Sequence, residues 1–196
     1  MSRSIVIIDG HPDPDPARLC HALADAYAAG AEQAGHHVER IRLADLSVPV
    51  LRSQAAFESE PVSEEIAAIQ SMLERADHWL IVYPLWLGSM PALLKALFEQ
   101  VLRPGFAFGA DTGTGGFPSG RLQGRSARVV VTMGMPALIY RWYFGAHSLK
   151  SLERHVLKFI GLGPVRENLF GMVDSVSTKK RAGWLATMRK LGRDGR

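Results

Sequence analysis

ADHWLIVYPLWLGSMPALLKALFEQVL, residues 76–102, contains a buried strand, an apolar loop and an amphipathic helix in direct succession. His78–Tyr83 predicts the strand, because its apolar residues are nearly continuous. The helix shows the i, i+3, i+4, i+7 spacing of one buried face, formed by Leu94, Leu97, Phe98 and Val101. Pro91 is expected in its first turn, where a missing N–H costs nothing. This strand–loop–helix unit is typical of a parallel sheet.

Similar units flank this stretch on both sides. Four more strands are predicted at Ser4–Asp9, His37–Arg42, Ala127–Met133 and Val165–Met172. Helical spacing follows within 19–34, 66–73, 149–160 and about 178–191, and Ser63 is a possible helix cap. Residues 43–61 are expected to be irregular, and 103–124 to form a long glycine-rich loop. Five strands alternating with helices predict one α/β domain over residues 1–196, with helices on both faces of a parallel sheet.

Composition excludes several classes of protein. The net charge of +4 and the 47% hydrophobic residues are ordinary for a globular protein. One cysteine, Cys20, cannot form an internal disulfide or a thiolate-rich zinc site, and we interpret it as a packed small hydrophobe. Signal-peptide, membrane-span, P-loop, GxGxxG and zinc-finger patterns are absent from the sequence. We therefore expect a cytoplasmic protein without a metal site, a membrane span or a nucleic-acid partner.

The histidines outside the strand-end loops show no paired spacing with carboxylates along the sequence. We expect them to be surface residues or core residues with satisfied hydrogen bonds: His21, His36, His37, His78 and His155. The late excess of basic residues is interpreted as a solvated helix face, with an anion-attracting surface as the alternative.

The loop after the first strand has features of a phosphate site. It runs from Gly10 to Leu19 and leads into a helix N-terminus, whose free N–H groups suit an anion. His11 and Arg18 offer further donors, whereas Asp13 and Asp15 would repel a phosphate unless they point away or cap the helix. A rigid structural turn is the alternative.

Two further loops follow the third and fourth strands. Tyr83–Pro91 carries exposed apolar residues, which a flat apolar ligand would explain; packing of Trp86 and Leu87 in the core or at a subunit interface is the alternative. In 132–147, Gly134 brings backbone amides toward a ligand, and Tyr140 and His147 are candidate donors. Ligands of such sheets bind beyond the carboxyl ends of the strands, where these loops meet.

The three loops together resemble the NAD(P)H:quinone oxidoreductase family, the DT-diaphorase-like branch of flavodoxin-like proteins. The resemblance runs from about Ile5 to Met172 and is most specific in 76–102. The matching positions there are Pro84, Leu85, Pro91, Ala92, Leu94, Lys95, Glu99 and Val101. It implies a doubly wound sheet in the order 2-1-3-4-5, bound FMN (FAD being possible), NAD(P)H as co-substrate and two-electron hydride transfer to a quinone-like acceptor. The chain's end soon after the fifth strand favours FMN.

Site residues are carried over from the family by position. His11, Ala17 and Arg18 fall on the flavin phosphate side. The isoalloxazine ring would be lined by Pro84, Leu85, Trp86, Leu87 and Gly88. The pyrimidine end would be met by Thr132, Met133, Gly134 and Met135. Tyr140 and His147 correspond to the tyrosine and histidine beside the hydride-transfer position; the alternative is that Tyr140 only packs and His147 caps a helix.

The sequence departs from the family pattern at three places. The tryptophan of the second loop is shifted to Trp86-Leu87, the first loop has 15–17 as Asp-Pro-Ala in place of hydroxyl residues, and a glycine pair is replaced by Gly134-Met135. These changes bear on substrate preference more than on flavin binding.

The resemblance also implies a homodimer, with the loop at about 103–125 at the interface. Phe106 and Phe108 lie in that glycine-rich loop, where packing within one chain is hard to arrange, and Trp142, Tyr143 and Phe144 add apolar surface. The alternative function is an ancillary flavoprotein subunit that binds a glutathione-gated potassium efflux transporter. A one-electron carrier fits poorly because such proteins are usually acidic, and the choice between NADH and NADPH stays open.

Overall fold

The computed structural model describes residues 2–109 and 119–196. Its strands are β1 (Ser4–Asp9), β2 (His37–Arg42), β3 (His78–Pro84), β4 (Ser126–Met133) and β5 (Val165–Gly171). All four neighbouring pairs are parallel, and the order is β2-β1-β3-β4-β5. The predicted fold class and strand order are therefore confirmed. Because the strands are parallel, the carboxyl ends of the central strands lie at one edge of the sheet, which we call the carboxyl edge. Their amino-terminal ends lie at the opposite edge, which we call the amino edge.

Seven α-helices connect the strands among the described residues. They are α1 (Leu19–Gln33), α2 (Gln54–Glu58), α3 (Glu64–Arg75), α4 (Ala92–Val101), α5 (Ala137–Trp142), α6 (His147–Ser151) and α7 (Thr178–Arg193). A 3₁₀ turn covers Leu43–Asp45, and α6 continues into a π-helical segment, Leu152–Leu157. Ser63 caps α3 by accepting the Ile66 N–H at 3.3 Å, as predicted. No helix within the described ranges is long and apolar enough to cross a membrane.

The two faces of the sheet are buried against different helices. Alternate residues of the central strands point to opposite faces. On one face Val6, Trp79 and Val129 pack in the larger core, together with residues of α3 and α4. On the other face Leu80 and Val130 pack against α1 and α7.

The contact between α1 and α7 is a close backbone approach at two glycines. A Cβ built on Gly30 would lie 2.0 Å from the carbonyl oxygen of Arg189, and one on Gly192 would lie 2.0 Å from that of Tyr27. No side chain fits at either position, so the two helices require glycine there.

Several predictions on local structure were wrong. The stretch 43–61 contains the 3₁₀ turn and α2, and 132–147 contains α5. Both α2 and α5 span about one turn and lack an amphipathic period. Phe106 and Phe108 pack partly against the chain's own core, with Phe108 5.1 Å from Phe159 between ring centroids. Residues 110–118 of the long loop lie outside the described residues, so its role at an interface stays a prediction.

Candidate cofactor cleft

A cleft opens at the carboxyl edge of the sheet, between the loops that follow β1, β3 and β4. Its volume is about 310 Å³, within the range of small-molecule pockets. Nine of the residues predicted from the sequence line it: His11, Ala17, Arg18, Pro84, Leu85, Trp86, Thr132, Met133 and Gly134. The other lining residues are Leu19, Cys20, Val173, Asp174 and Arg181.

The N-terminus of α1 faces this cleft with its amide donors open. Arg18 occupies the N-cap position and makes no side-chain cap bond. Among the described residues, no acceptor reaches the N–H groups of Leu19 and Cys20, which both line the cleft. Two unpaired amides at the positive end of a 15-residue helix suit an anionic group.

The two aspartates of the first loop do not block this site, because each is bonded within the loop. The Asp13 carboxylate accepts the Asp15 N–H at 2.9 Å and pairs with Arg18 at 2.6 Å. The Asp15 carboxylate accepts the Ala17 N–H at 2.9 Å. The Asp15 N–H, with help from Arg18, holds the pKa of Asp13 below its ordinary value. Because Arg18 is already paired, its charge is largely offset before any ligand binds.

Arg181 supplies a second cation to the cleft from α7. Its guanidinium donates to the Val173 carbonyl at 3.1 Å, and in the part of the chain that the structure describes it forms no ion pair. Asp174 lines the same side, and its carboxylate oxygen lies 3.5 Å from where a Cβ on Gly134 would stand. Neither residue was predicted from the sequence, because only folding brings the segment after β5 to the other loops.

His11 presents one defined donor to the cleft. It is 7% exposed, and its Nδ1 accepts the Asp13 N–H at 3.1 Å. In the neutral ring the hydrogen therefore sits on Nε2. Burial, followed by the charges of His21 and Arg18, lowers the pKa of His11, so the ring is neutral near pH 7. It also packs edge-to-face against Trp86, with 5.7 Å between ring centroids.

A buried contact between His21 and Asp9 supports this loop from the core side. His21 Nδ1 lies 2.5 Å from the Asp9 carboxylate, and its Nε2 lies 2.9 Å from the Asp13 carbonyl. Both ring nitrogens of His21 therefore have a hydrogen-bond partner. The second Asp9 oxygen accepts the His11 N–H at 3.4 Å. His21 is thus a satisfied core residue, as predicted, and it joins β1, α1 and the loop.

The loop after β3 is a tight turn that holds its apolar side chains outward. Trp86 and Ser89 exchange backbone hydrogen bonds of 2.8 and 3.0 Å, with Leu87 at φ 46° and Gly88 at φ 77°. Leu87 is fully exposed and Trp86 is 48% exposed. Packing of either residue in the core of this chain is therefore excluded, which leaves a ligand or an interface. Leu87 and Gly88 are not among the residues that line the cleft.

Thr132 closes the floor of the cleft between β3 and β4. Its carbonyl accepts the Leu85 N–H at 2.7 Å, and its hydroxyl lies 3.3 Å from the Cys20 sulfur. Burial raises the pKa of the Cys20 thiol to about 12, so this cysteine is an unreactive packing group, as predicted. Met135 is half-buried just outside the cleft, where its carbonyl accepts the Met172 N–H at 3.1 Å.

Tyr140 and His147 lie apart from the lining of the cleft. Tyr140 is 2% exposed, and its hydroxyl lies 2.9 Å from that of Ser148. His147 is exposed at the first residue of α6, which has no side-chain cap bond. The alternative in which His147 caps this helix is therefore excluded, and the catalytic role of the pair stays a prediction. Within the described ranges, no group of three or more histidine, cysteine or acidic side chains is placed to hold a metal ion.

Comparison with known proteins gives a family and several relatives. The sequence profile of a protein family that is described as having a flavodoxin-like fold matches residues 3–191. The ribosyldihydronicotinamide dehydrogenase (quinone) of Pongo abelii is 28% identical over 144 residues, 69% of this chain and 59% of that protein. An FMN-dependent NADH:quinone oxidoreductase of Ruegeria pomeroyi is 30% identical over 130 residues, 59% of this chain and 63% of that protein. The chain therefore spans about three fifths of the length of these relatives.

Two further similarities bear on fold and on function. The structure of an NAD(P)H:quinone oxidoreductase from Methanothermobacter marburgensis superimposes with a TM-score of 0.84 over 100% of both chains, at 22% identity. A glutathione-regulated potassium-efflux system ancillary protein of Cronobacter sakazakii is 39% identical over 77 residues, 39% of this chain and 38% of that protein. The first supports the fold over the whole chain, and the second covers a shorter segment.

Proposed function

The chain belongs to the family of the flavodoxin-like fold, and on that basis we propose that it is a flavin-dependent oxidoreductase that passes hydride from NAD(P)H to a quinone-like acceptor. The observation that carries the proposal is the carboxyl-edge cleft, where open helix amides, a neutral histidine donor and an exposed indole converge. Two of the relatives are named as quinone-reducing enzymes, and one of these is named as FMN-dependent.

The donors of the cleft fit the two ends of FMN. The Leu19 and Cys20 amides, with Arg181 beside them, are a donor set for the phosphate. Trp86, Leu85 and Pro84 form an apolar wall that suits a flat ring system. The cleft therefore has a charged end for an anion and an apolar end for an aromatic group.

When bound, FMN supplies the two-electron chemistry, and the chain binds and orients the reactants. Donors near a ring that gains negative charge stabilise that charge. We expect His11 Nε2–H and the backbone amides of Met133 and Gly134 to be such donors, because these residues line the cleft. Because His11 is neutral, it contributes a dipole and no charge, and its orientation is set by Asp13.

Tyr140 and His147 are part of the proposal as donors toward the acceptor. His147 is exposed beside the loop after β4, and the Tyr140 hydroxyl is linked to the Ser148 hydroxyl on the same helix as His147. This linked pair of hydroxyls and the neighbouring imidazole support a site that can supply protons. Histidine is the side chain best suited to give up a proton near neutral pH.

The same proposal includes a homodimer. Exposed apolar residues cluster after β3 and β4: Trp86, Leu87, Leu138, Ile139, Trp142, Tyr143 and Phe144. A band of this kind beside a ligand cleft usually marks an interface, and a twofold dimer is the commonest closed assembly. Light scattering should give twice the chain mass for the wild type and for Val50→Glu, an exposed apolar site outside the band, and a lower mass for Trp142→Glu. A flavin-bound wild-type monomer at micromolar concentration would contradict the dimer.

The alternative is an ancillary role with a potassium efflux transporter, favoured by the 39% identity of a 77-residue segment to such a protein. Co-purification with a transporter from the native source, without quinone turnover, would favour this role. Fractionation of the same source tests the predicted cytoplasmic location.

Flavin binding and anaerobic reduction test the enzyme directly. Purified protein should bind FMN with a dissociation constant below about 10 μM, which corresponds to roughly −7 kcal/mol. NADH or NADPH should then bleach the bound flavin, and a quinone should restore its absorption. FAD titration and the two nicotinamides, used separately, decide the cofactor and the donor. A protein that binds neither flavin would refute the proposal.

A further inference from the structure

A second cleft lies at the amino edge of the sheet, opposite the cofactor cleft. Its volume is about 750 Å³. It lies beside the starts of β1, β3, β4 and β5 and the residues after α7. β3 runs from one cleft to the other, since its first residue, His78, lines the amino-edge cleft and its last, Pro84, lines the cofactor cleft. The two clefts share no lining residue and are therefore separate sites.

Arginines dominate the charge of this amino-edge cleft. Arg3, Arg166 and Arg196 line it, against the carboxylates of Asp77 and Asp194. Both carboxylates already have donors: Asp77 accepts the Ser4 N–H at 2.9 Å, and Asp194 accepts from Arg196 at 3.1 Å. The side chain of Arg166, on β5, makes no hydrogen bond or ion pair with any residue that the structure describes.

A fourth arginine, Arg128, lies next to Arg166 on the neighbouring strand. Arg128 on β4 and Arg166 on β5 are in register on neighbouring strands, so two like charges are adjacent on one face of the sheet. Such a pair is unfavourable unless another charge offsets it. Arg128 is 6% exposed, and its Nε has no hydrogen-bond partner among the described residues. Its only side-chain partner there is the neutral amide of Asn168.

His78 is a second buried side chain that has a polar atom without a hydrogen-bond partner among the described residues. It lines the cleft, is 2% exposed, and its Nδ1 lies 2.7 Å from the Ser126 hydroxyl, while Nε2 has no partner in the described part of the chain. Burial, and then the positive charges of Arg128, Arg3 and Arg166, lower the pKa of His78 to about 3. The three arginines thus add a positive potential at this histidine to the larger effect of its burial.

We infer that the amino-edge cleft binds a compact, multiply charged anion of the pyrophosphate type, either free or as part of a nucleotide. Guanidinium groups match phosphate oxygens with paired hydrogen bonds, and several arginines around one concave site are typical of phosphate recognition. An anion between Arg166 and Arg3 would offset the adjacent like charges on β4 and β5. Two glycines in the lining of this cleft, Gly124 and Gly163, have open space where a side chain would stand, so an anion can approach their backbone.

Calorimetric titration with pyrophosphate on FMN-saturated protein tests this inference. Arg166→Gln removes a cation that has no protein partner, so the fold should be retained. Arg154→Gln is the matched control, since Arg154 is exposed, lies outside the cleft and loses the same charge. We expect affinity to fall at least about tenfold in Arg166→Gln, the size of one charged hydrogen-bonded contact, and less than about twofold in Arg154→Gln. Arg3→Gln serves as a second variant if Arg166→Gln does not fold.

The outcomes separate the site from its alternatives. Equal loss in Arg166→Gln and Arg154→Gln would mean non-specific attraction and would overturn the inference. Competition between FMN and pyrophosphate would place the anion in the cofactor cleft and would also overturn it. ADP binding more tightly than pyrophosphate would identify a nucleotide, and equal affinity would identify the phosphate chain alone. A further outcome is that an oligonucleotide binds more tightly than both and loses that affinity in Arg166→Gln. That result would identify a nucleic acid as the ligand and would overturn the inference of a small anion.

The test does not depend on flavin chemistry. If the protein binds no FMN, the comparison of Arg166→Gln with Arg154→Gln still decides the anion site. At a hundredfold excess over its dissociation constant, pyrophosphate should raise the melting temperature of the wild type by about 5 °C. Because affinity in Arg166→Gln should be at least about tenfold lower, the same addition should raise its melting temperature by at most about half as much.

Discussion

Replacing His11 by asparagine should remove one hydrogen-bond donor from the cofactor cleft and keep the bond that holds the loop. The asparagine amide oxygen lies near the position of Nδ1 and can still accept the Asp13 N–H, which His11 accepts at 3.1 Å. What disappears is Nε2–H, the only ring hydrogen of the neutral histidine that can be donated. Since His11 is 7% exposed, water does not readily replace that donor.

The size of the effect follows from the kind of bond that is lost. A neutral donor to a charged or strongly polar acceptor contributes about 1.5–3 kcal/mol. Each step of about 1.4 kcal/mol is tenfold in affinity, so His11→Asn should weaken FMN binding by about 10- to 100-fold. His11→Gln places an amide near the position of Nε2 and should recover most of the loss.

Quenching of FMN fluorescence at fixed ionic strength measures the three dissociation constants. His36→Asn is the matched control, because His36 Nδ1 also accepts a backbone N–H, that of Arg3 at 3.1 Å, and lies outside the cleft. Urea unfolding of each apoprotein separates lost contacts from lost stability. Wild-type affinity in His11→Asn, with unchanged stability, would refute the assignment of Nε2–H as a cofactor donor.

Three other predictions address packing, acid stability and catalysis. Gly30→Ala drives a methyl group into a backbone carbonyl oxygen of α7, whereas the space around Gly183 is open. In urea unfolding, Gly30→Ala should therefore cost at least about 1–3 kcal/mol, and Gly183→Ala should be neutral or stabilising. His78 binds fewer protons folded than unfolded between pH 6.5 and about 3. The free energy of unfolding should thus fall by up to about 1.4 kcal/mol per pH unit as pH drops through that window, with a smaller slope in His78→Gln. Tyr140→Phe and His147→Gln should each slow stopped-flow flavin reduction at least about tenfold without loss of bound flavin; wild-type rates in both would leave them as scaffold.

Strand positions were predictable because burial on both faces makes a parallel strand apolar throughout. His78–Tyr83 shows this pattern directly, and the structure extends the strand only to Pro84. The helix α5 was not predictable in this way, since Leu138, Ile139 and Trp142 are exposed and form no buried stripe. This short helix begins after Pro136 at its N-cap position and packs beside β5.

The site was predictable where its residues sit in loops directly after strands, as His11 and Gly134 do. The contact between Asp9 and His21 was not predicted from the sequence, because it joins a strand to a helix. Arg181 was missed for the same reason, since it reaches the cleft only when α7 packs on α1. Sequence spacing predicts partners within an element, and tertiary packing supplies those between elements.

The close approach of Gly30 and Gly192 has a consequence for synthesis on the ribosome. α1 emerges early, but the helix that covers it is translated only after all five strands, and contacts so distant along a chain form slowly. Until α7 emerges, the side of α1 around Gly30 is not covered by its partner helix. Arg181 arrives with the same helix, so a nascent chain completes its cofactor cleft only after α7 has been translated. We expect truncated nascent chains to depend on chaperones and to bind flavin only once α7 has left the exit tunnel.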